Sequence, residues 1–283
     1  MRFDTTKNWN LKIEDFPISK WFISNDRILY HYTSIDALFG GIIVKDNPKP
    51  NREICLWATN CLYMNDPKEL DTGIQFAHEI LDIPINDSVQ SAKELAKDKT
   101  FIISFSSAVD CLPMWRMYGK NGHGLALGFD TATLKKTIYL TKCIYTHDSN
   151  KKKLKEEIAK WKDQPESCRK QSIIDNILSE ILENSTNILG TYILFWLLGK
   201  NPAYECEQEV RWLFPAEETI KYRLRENLII PYVEQYLPKS ALKEIWLGPT
   251  NNMERAFHSL RNYLDHMGFN HVEIKQSNVP YRD

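Results

Sequence analysis

Strand-like and helix-like stretches follow one another without regular alternation along this chain, and that order constrains its fold more than any other feature. Residues 100–106 (Thr-Phe-Ile-Ile-Ser-Phe-Ser) are almost wholly apolar, as a strand covered on both faces must be, and predict a central strand. Further strands are expected at 53–59, 122–129, 205–214, 227–232, 243–248 and 271–275. Helices are expected after Asp66-Pro67, with the stripe Leu70, Ile74, Ala77 and Leu81, at 114–118 before Gly119, and at 252–267. A doubly wound sheet needs strict strand–helix alternation, so the order points to an α+β fold. No repeat or low-complexity linker divides residues 1–283, which predicts one domain. From 149 to 200 the pattern turns helical, with the stripe Ile173, Ile174, Ile177, Leu178, Ile181 and Leu182, and predicts an inserted helical segment.

The stretch Ile-Leu-Tyr-His-Tyr-Thr-Ser-Ile-Asp-Ala-Leu at 28–38 runs from a strand directly into a helix start. Thr33 or Ser34 can cap that helix, whose stripe is Ile35, Leu38, Phe39 and Ile42. His31 therefore ends a strand beside unpaired helix amides, a setting that favours a phosphate or a ribose hydroxyl. The alternative is a histidine hydrogen-bonded into the strand end for structural reasons.

Charge narrows the function classes. The formal net charge is −1 with a sequence pI of about 6.7, which argues against a general nucleic-acid or membrane binder. Lys151, Lys152 and Lys153, followed by Glu156 and Glu157, read as a solvated helix face with internal ion pairs. The apolar run at 188–198 is interrupted by Gly190 and Thr191 and is too short to span a bilayer, so it is expected to be a buried helix. Cys55, Cys61, Cys111, Cys143, Cys168 and Cys206 form no CxxC pair, and no basic-then-apolar leader opens the chain. Reduced thiols in a cytoplasmic protein are the expectation, with no bound metal.

A second constellation is Glu-Cys-Glu-Gln-Glu-Val-Arg-Trp at 205–212. The two-residue period of a strand would put Glu207, Glu209 and Arg211 on one face. Like charges side by side are unfavourable unless a cation or a ligand compensates, so these residues mark either a cleft or a charged edge strand. Asn65 and Asp66 read as a turn and cap, Trp115 and Tyr118 as core or cleft wall, and Arg282 as a tail residue able to reach a phosphate.

Several of these segments together resemble a bacterial family known only as domain of unknown function family 2971. They are Tyr30 to Ser34, Asn65-Asp66-Pro67 with Glu69, Ser104 to Ser106, Met114-Trp115 with Tyr118-Gly119, Gly124 to Asp130, Glu207 with Glu209 and Arg211, and Ser277 to Arg282. The chain also resembles the ADP-ribosyltransferase superfamily, through His31 and Thr33 (His-x-Thr) and Glu207-Gln208-Glu209 (Glu-x-Glu). That second resemblance implies a split β-sheet core with inserted helices and NAD as the donor substrate. It implies an acceptor that is protein, DNA or RNA, and a toxin or antiphage role. By the same resemblance His31 and Thr33 hold the adenosine-side ribose or diphosphate, and Ser104 or Ser106, or else Tyr118, packs the nicotinamide. Glu209 stabilises the oxocarbenium-like ribose and Glu207 positions the acceptor. His31 and Glu209 are then expected to face one cleft between two sheets. Two other readings stay open: a non-enzymatic nucleotide-sensing module on the same fold, and an RNA phosphotransferase, which the shortage of basic residues near His31 disfavours.

Overall fold

The computed structural model describes residues 21, 24–44, 52–81, 85, 87–134, 140–163, 196–215, 219–249 and 252–281. Its strands are β1 Ile28–Thr33, β2 Ile54–Asn60, β3 Thr100–Ser106, β4 Leu125–Asp130, β5 Leu140–Lys142, β6 Ile144–Tyr145, β7 Gly199–Lys200, β8 Glu209–Pro215, β9 Lys221–Arg225, β10 Leu228–Leu237, β11 Leu242–Leu247 and β12 Glu273–Gln276. The chain divides into two compact units, the larger made of 24–67, 94–143 and 201–283, the smaller of 1–23, 68–93 and 144–200.

The larger unit is built on one ten-stranded mixed sheet with helices against it. Its main path runs β12-β11-β4-β1-β3-β2-β10-β9, and only the β11–β12 pair is parallel. β3 is central, as its composition predicts, and it is also where the sheet branches. One edge of β3 pairs with β8 along its whole length, and β8 pairs in turn with β5. The opposite edge pairs with β2 at Phe101 and Ile102 and with β1 at Ser106. Between these contacts, where β1 and β2 diverge, 103–105 have no ladder partner on that edge.

Alternation sorts the two faces. Leu29, Leu56, Phe101, Ile103, Phe105, Leu127, Phe129 and Val210 project to one side and form the core, closed by Leu38, Ile42, and Leu260 and Leu264 of helix Met253–His266. Removing one such aromatic, as in Phe105→Ala, would cost about 3–5 kcal/mol. The other face carries Tyr30, Tyr32, Trp57, Thr59, Ser104, Ser106, Glu209 and Arg211, because Tyr30 pairs with Ser106, Ser106 with Glu209, and Thr59 with Ile102.

In the smaller unit, helix Glu69–Leu81 buries Leu70, Ile74, Ala77 and Leu81, the stripe the sequence predicts. Helix Asp148–Lys162 follows β6, and its Lys151 pairs with Glu79 at 2.8 Å and Asp148 at 3.0 Å, the ion-paired surface expected for the lysine run. The central part of the expected insertion, 164–195, including its isoleucine-rich stripe, lies outside the described residues, as do Cys168 and Arg282. Trp196, Leu197 and Leu198 are buried.

Several boundaries differ from expectation. The helix after Asp66-Pro67 starts at Glu69, because Pro67 and Lys68 form a turn. β4 starts at Leu125, preceded by a 3-10 turn over Lys120–Gly122. Glu205 to Glu207 are not strand but the end of a 3-10 helix, Pro202–Glu207, and Gln208 turns the backbone with φ 42° before β8. The β9 partner of β10 was not foreseen, since Lys-Tyr-Arg-Leu-Arg has little apolar character. Among the described residues no helix is long and apolar enough to cross a membrane, and Cys55, Cys61, Cys111, Cys143 and Cys206 are free thiols.

Candidate functional site at the branch of the sheet

β1 delivers His31 to this unpaired edge of β3. Ser34 caps the next helical turn, its hydroxyl accepting from Ala37 N at 3.1 Å, and so takes one of the amides the sequence offered to a phosphate. The turn Ile35–Ala37 runs into a π-helical turn, Leu38–Ile42, which leaves Leu38 and Ile42 in the core but Ile35 and Phe39 exposed. Thr33 ends β1 opposite Leu125. The backbone there is tight: a Cβ on Gly124 would lie 2.4 Å from the Thr33 carbonyl oxygen, so only glycine lets β1 and the loop before β4 come together.

His31 Nδ1 lies 3.0 Å from the Ser104 carbonyl oxygen, on the edge of β3 that β1 and β2 leave open. A carbonyl only accepts, so Nδ1 carries the proton and donates it. Nε2 is then a lone pair, and it bonds to no described residue. Burial, more than the nearby Arg223 charge, holds the ring below the ordinary imidazole pKa, while the bond to Ser104 opposes that shift. His31 is thus a neutral acceptor at neutral pH, packed edge-on against Phe105 with ring centroids 6.1 Å apart. The Ser104 hydroxyl is buried without a partner among the described residues.

Glu209 and Arg211 lie on the opposite face of the sheet from the core, 4% and 0% exposed. Arg211 Nη2 donates to Glu209 Oε2 at 2.7 Å, and the Cys143 thiol donates to the same oxygen at 3.4 Å. Burial pulls the guanidinium down to about 9, opposed by the neighbouring Cys61 and Asp66. Glu207 is also buried, and Tyr118 Oη donates to its Oε1 at 2.6 Å. Ser106 Oγ donates to the Glu207 carbonyl at 2.6 Å, tying the end of the 3-10 helix to β3.

Of the residues expected to form one site, the fold brings His31, Ser104 and Glu209 onto three adjacent strands, β1, β3 and β8. It joins Tyr118 to Glu207 rather than leaving either as an open platform. It does not put His31 and Glu209 on one face: Tyr30 and Tyr32 share the Glu209 side, and His31, opposite Leu127 and edge-on to Phe105, alternates to the other. Asp66 lies near Arg211, and Trp115 is fully buried, its Nε1 donating to Asp110 at 2.9 Å.

Two carboxylates, the half-buried Asp110 and the buried Glu244, escaped the sequence reading. Asp110, with φ 52°, accepts from the Ser277 hydroxyl, from Asn278 N at 2.8 Å and from Trp115, and so anchors the closing segment 277–279. Glu244 accepts from Tyr30 Oη and Trp246 Nε1, both at 2.8 Å, and from Lys275 Nζ at 2.7 Å. Neither has a motif around it, and only the tertiary fold supplies the partners.

No curated protein and no solved structure matches the chain. The family model described as protein of unknown function (DUF2971) matches residues 114–212, about a third of the chain. Over that stretch, which takes in Tyr118, Glu207, Glu209 and Arg211 but neither His31 nor Ser104, the chain is similar to that family.

Proposed function

We propose that the chain binds NAD at the branch of the sheet beside His31 and transfers its ADP-ribosyl group to a protein or a nucleic acid. The observation that carries this reading is the neutral His31, whose Nε2 is left as an acceptor beside the β3 strand that carries Ser104 and, one strand further, Glu209. A ribose hydroxyl donates to such a nitrogen without any proton transfer, so His31 would orient the donor rather than react with it. In the transfer, the bond between nicotinamide N1 and ribose C1′ breaks and an acceptor heteroatom bonds to C1′. Nicotinamide leaves with the bonding pair, and the acceptor's proton is released to solvent. Glu209, on β8 one strand beyond Ser104, would supply the fixed negative charge that stabilisation of an oxocarbenium-like ribose requires.

The buried Glu209–Arg211 pair favours a second reading, a nucleotide-sensing module that binds without cleaving. Incubation with NAD labelled in the adenylate moiety, alone and with cell lysate, separates the two. Transfer predicts nicotinamide release and label in a macromolecular fraction; sensing predicts saturable binding with neither.

A further inference from the structure

Arg223 stands apart from the other cations of the β9–β10 hairpin. Lys221 pairs with Glu234 at 2.8 Å, and Arg225 donates to the Tyr63 carbonyl at 2.8 Å from an exposed position. Arg223 is turned inward instead. Its Nη2 donates to Thr59 Oγ1 at 2.9 Å and its guanidinium carbon sits 5.4 Å from the centre of the Trp57 ring. No carboxylate pairs with it among the described residues, and its buried Nε has no hydrogen-bond partner there. A cation placed only to protect an edge strand stays at an exposed position, as Lys221 and Arg225 do. A half-buried guanidinium without a counter-ion is costly, and its geometry is suited to a bidentate anion.

The platform beneath it is fixed in advance. Trp57 stacks on Tyr232 with ring centroids 4.6 Å apart, and a Cβ on Gly41 would come within 3.0 Å of the indole. The position is also informative. Thr59 pairs with Ile102, two residues along β3 from Ser104, whose carbonyl holds His31. Arg223, on Thr59 and Trp57, and His31, on the Ser104 carbonyl, therefore reach β3 at positions two residues apart, Ile102 and Ser104. The Arg223 charge is felt at the His31 ring, which it helps to keep neutral.

We infer that Arg223, seated on Trp57 and Thr59, binds the diphosphate of a nucleotide whose ribose is held at His31, an assignment that rests on the reading of the branch as a nucleotide site. The guanidinium supplies the counter-charge that no described side chain provides, and Thr59 orients it.

The test is calorimetric titration of the full chain and of Arg223→Gln, Arg223→Lys and Thr59→Val with ADP-ribose and, separately, with inorganic diphosphate. Thermal melting of each variant checks that it is folded. ADP-ribose affinity is expected to fall at least about tenfold in Arg223→Gln and less in Arg223→Lys, which keeps the charge but loses the fork, and in Thr59→Val. Equal ADP-ribose affinity in the folded Arg223→Gln variant and the unaltered chain overturns the assignment while leaving the nucleotide reading in place. If ADP-ribose does not bind but inorganic diphosphate binds in an Arg223-dependent way, the anion site stands and the nucleotide reading falls. Binding of neither overturns both.

Discussion

Breaking the Glu209–Arg211 pair is expected to unfold the larger unit before it reveals anything about catalysis. Both groups are almost completely removed from water, 4% and 0% exposed, and they meet at 2.7 Å. Removing one member of such a pair leaves the other charge buried, at a cost of about 3–5 kcal/mol. Set against a typical total of about 5–15 kcal/mol, Glu209→Ala would forfeit a large fraction of the stability. For a chain of this size that corresponds to a fall in melting temperature of roughly 6–20 °C. Glu209→Gln keeps an acceptor oxygen near Arg211 and should sit toward the lower end. Replacing both residues by methionine removes both charges and should recover most of the loss, because an apolar pair of similar volume is close to neutral in stability. Urea unfolding followed by tryptophan fluorescence measures all three. A single-variant loss below about 1 kcal/mol, or a double variant as unstable as the sum of the singles, would refute the description of the pair as buried and mutually compensating. Any activity comparison with Glu209 variants must therefore be made at a temperature where they remain folded.

Gly124→Ala should destabilise by about 1–3 kcal/mol, since its Cβ would meet the Thr33 carbonyl oxygen at 2.4 Å and backbone must shift; an unchanged urea midpoint would show that the loop gives way freely. Burial alone would raise the Glu244 carboxyl, but hydrogen bonds from Lys275, Trp246 and Tyr30 outweigh it and hold the group below its ordinary value. Its contribution is therefore complete above the unfolded carboxylate pKa and lost as pH falls through the lower folded value, so Glu244→Gln should flatten the loss of stability below about pH 5, and parallel curves would contradict this. His31 is depressed below 6.5, first by burial, so its neutral form is favoured on folding and its contribution is present above the unfolded pKa and lost as pH falls through the folded one. NAD affinity should follow the same course, level above about pH 6.5 and falling once Nε2 is protonated, and an affinity that rises on acidification would point to an imidazolium donor instead.

Much of the fold was legible because the hydrophobic pattern is strong where the core is. The run at 100–106 gave the central strand, and Leu70, Ile74, Ala77 and Leu81 gave a buried helix face, since burial on one stripe or on two faces leaves a direct trace in residue type. Turns were less visible. Glu207 follows a strand-like period but is bent out of the strand by the left-handed Gln208, a conformation that glutamine does not advertise. The branch at β3 left no trace in residue type, since registers between strands far apart in sequence are set by tertiary packing. For the candidate site, the sequence singled out His31, Ser104, Glu207 and Glu209, and the fold gives the side chains of His31, Glu207 and Glu209 defined partners while engaging Ser104 through its carbonyl. It did not single out Arg223, Asp110 or Glu244, whose significance comes from Thr59 and Trp57, from the 277–279 segment and from Lys275 respectively. The face assignment of His31 also needed the register, because one pairing, Tyr30 with Ser106, decides it.

Nicotinamide release from NAD, followed by chromatography with purified full-length chain and with His31→Ala, tests the central claim most directly. The account predicts steady release by the unaltered chain, with an increased KM in His31→Ala because the imidazole holds the ribose in ground and transition states alike. No release and no saturable NAD binding by the folded, unaltered chain would contradict it.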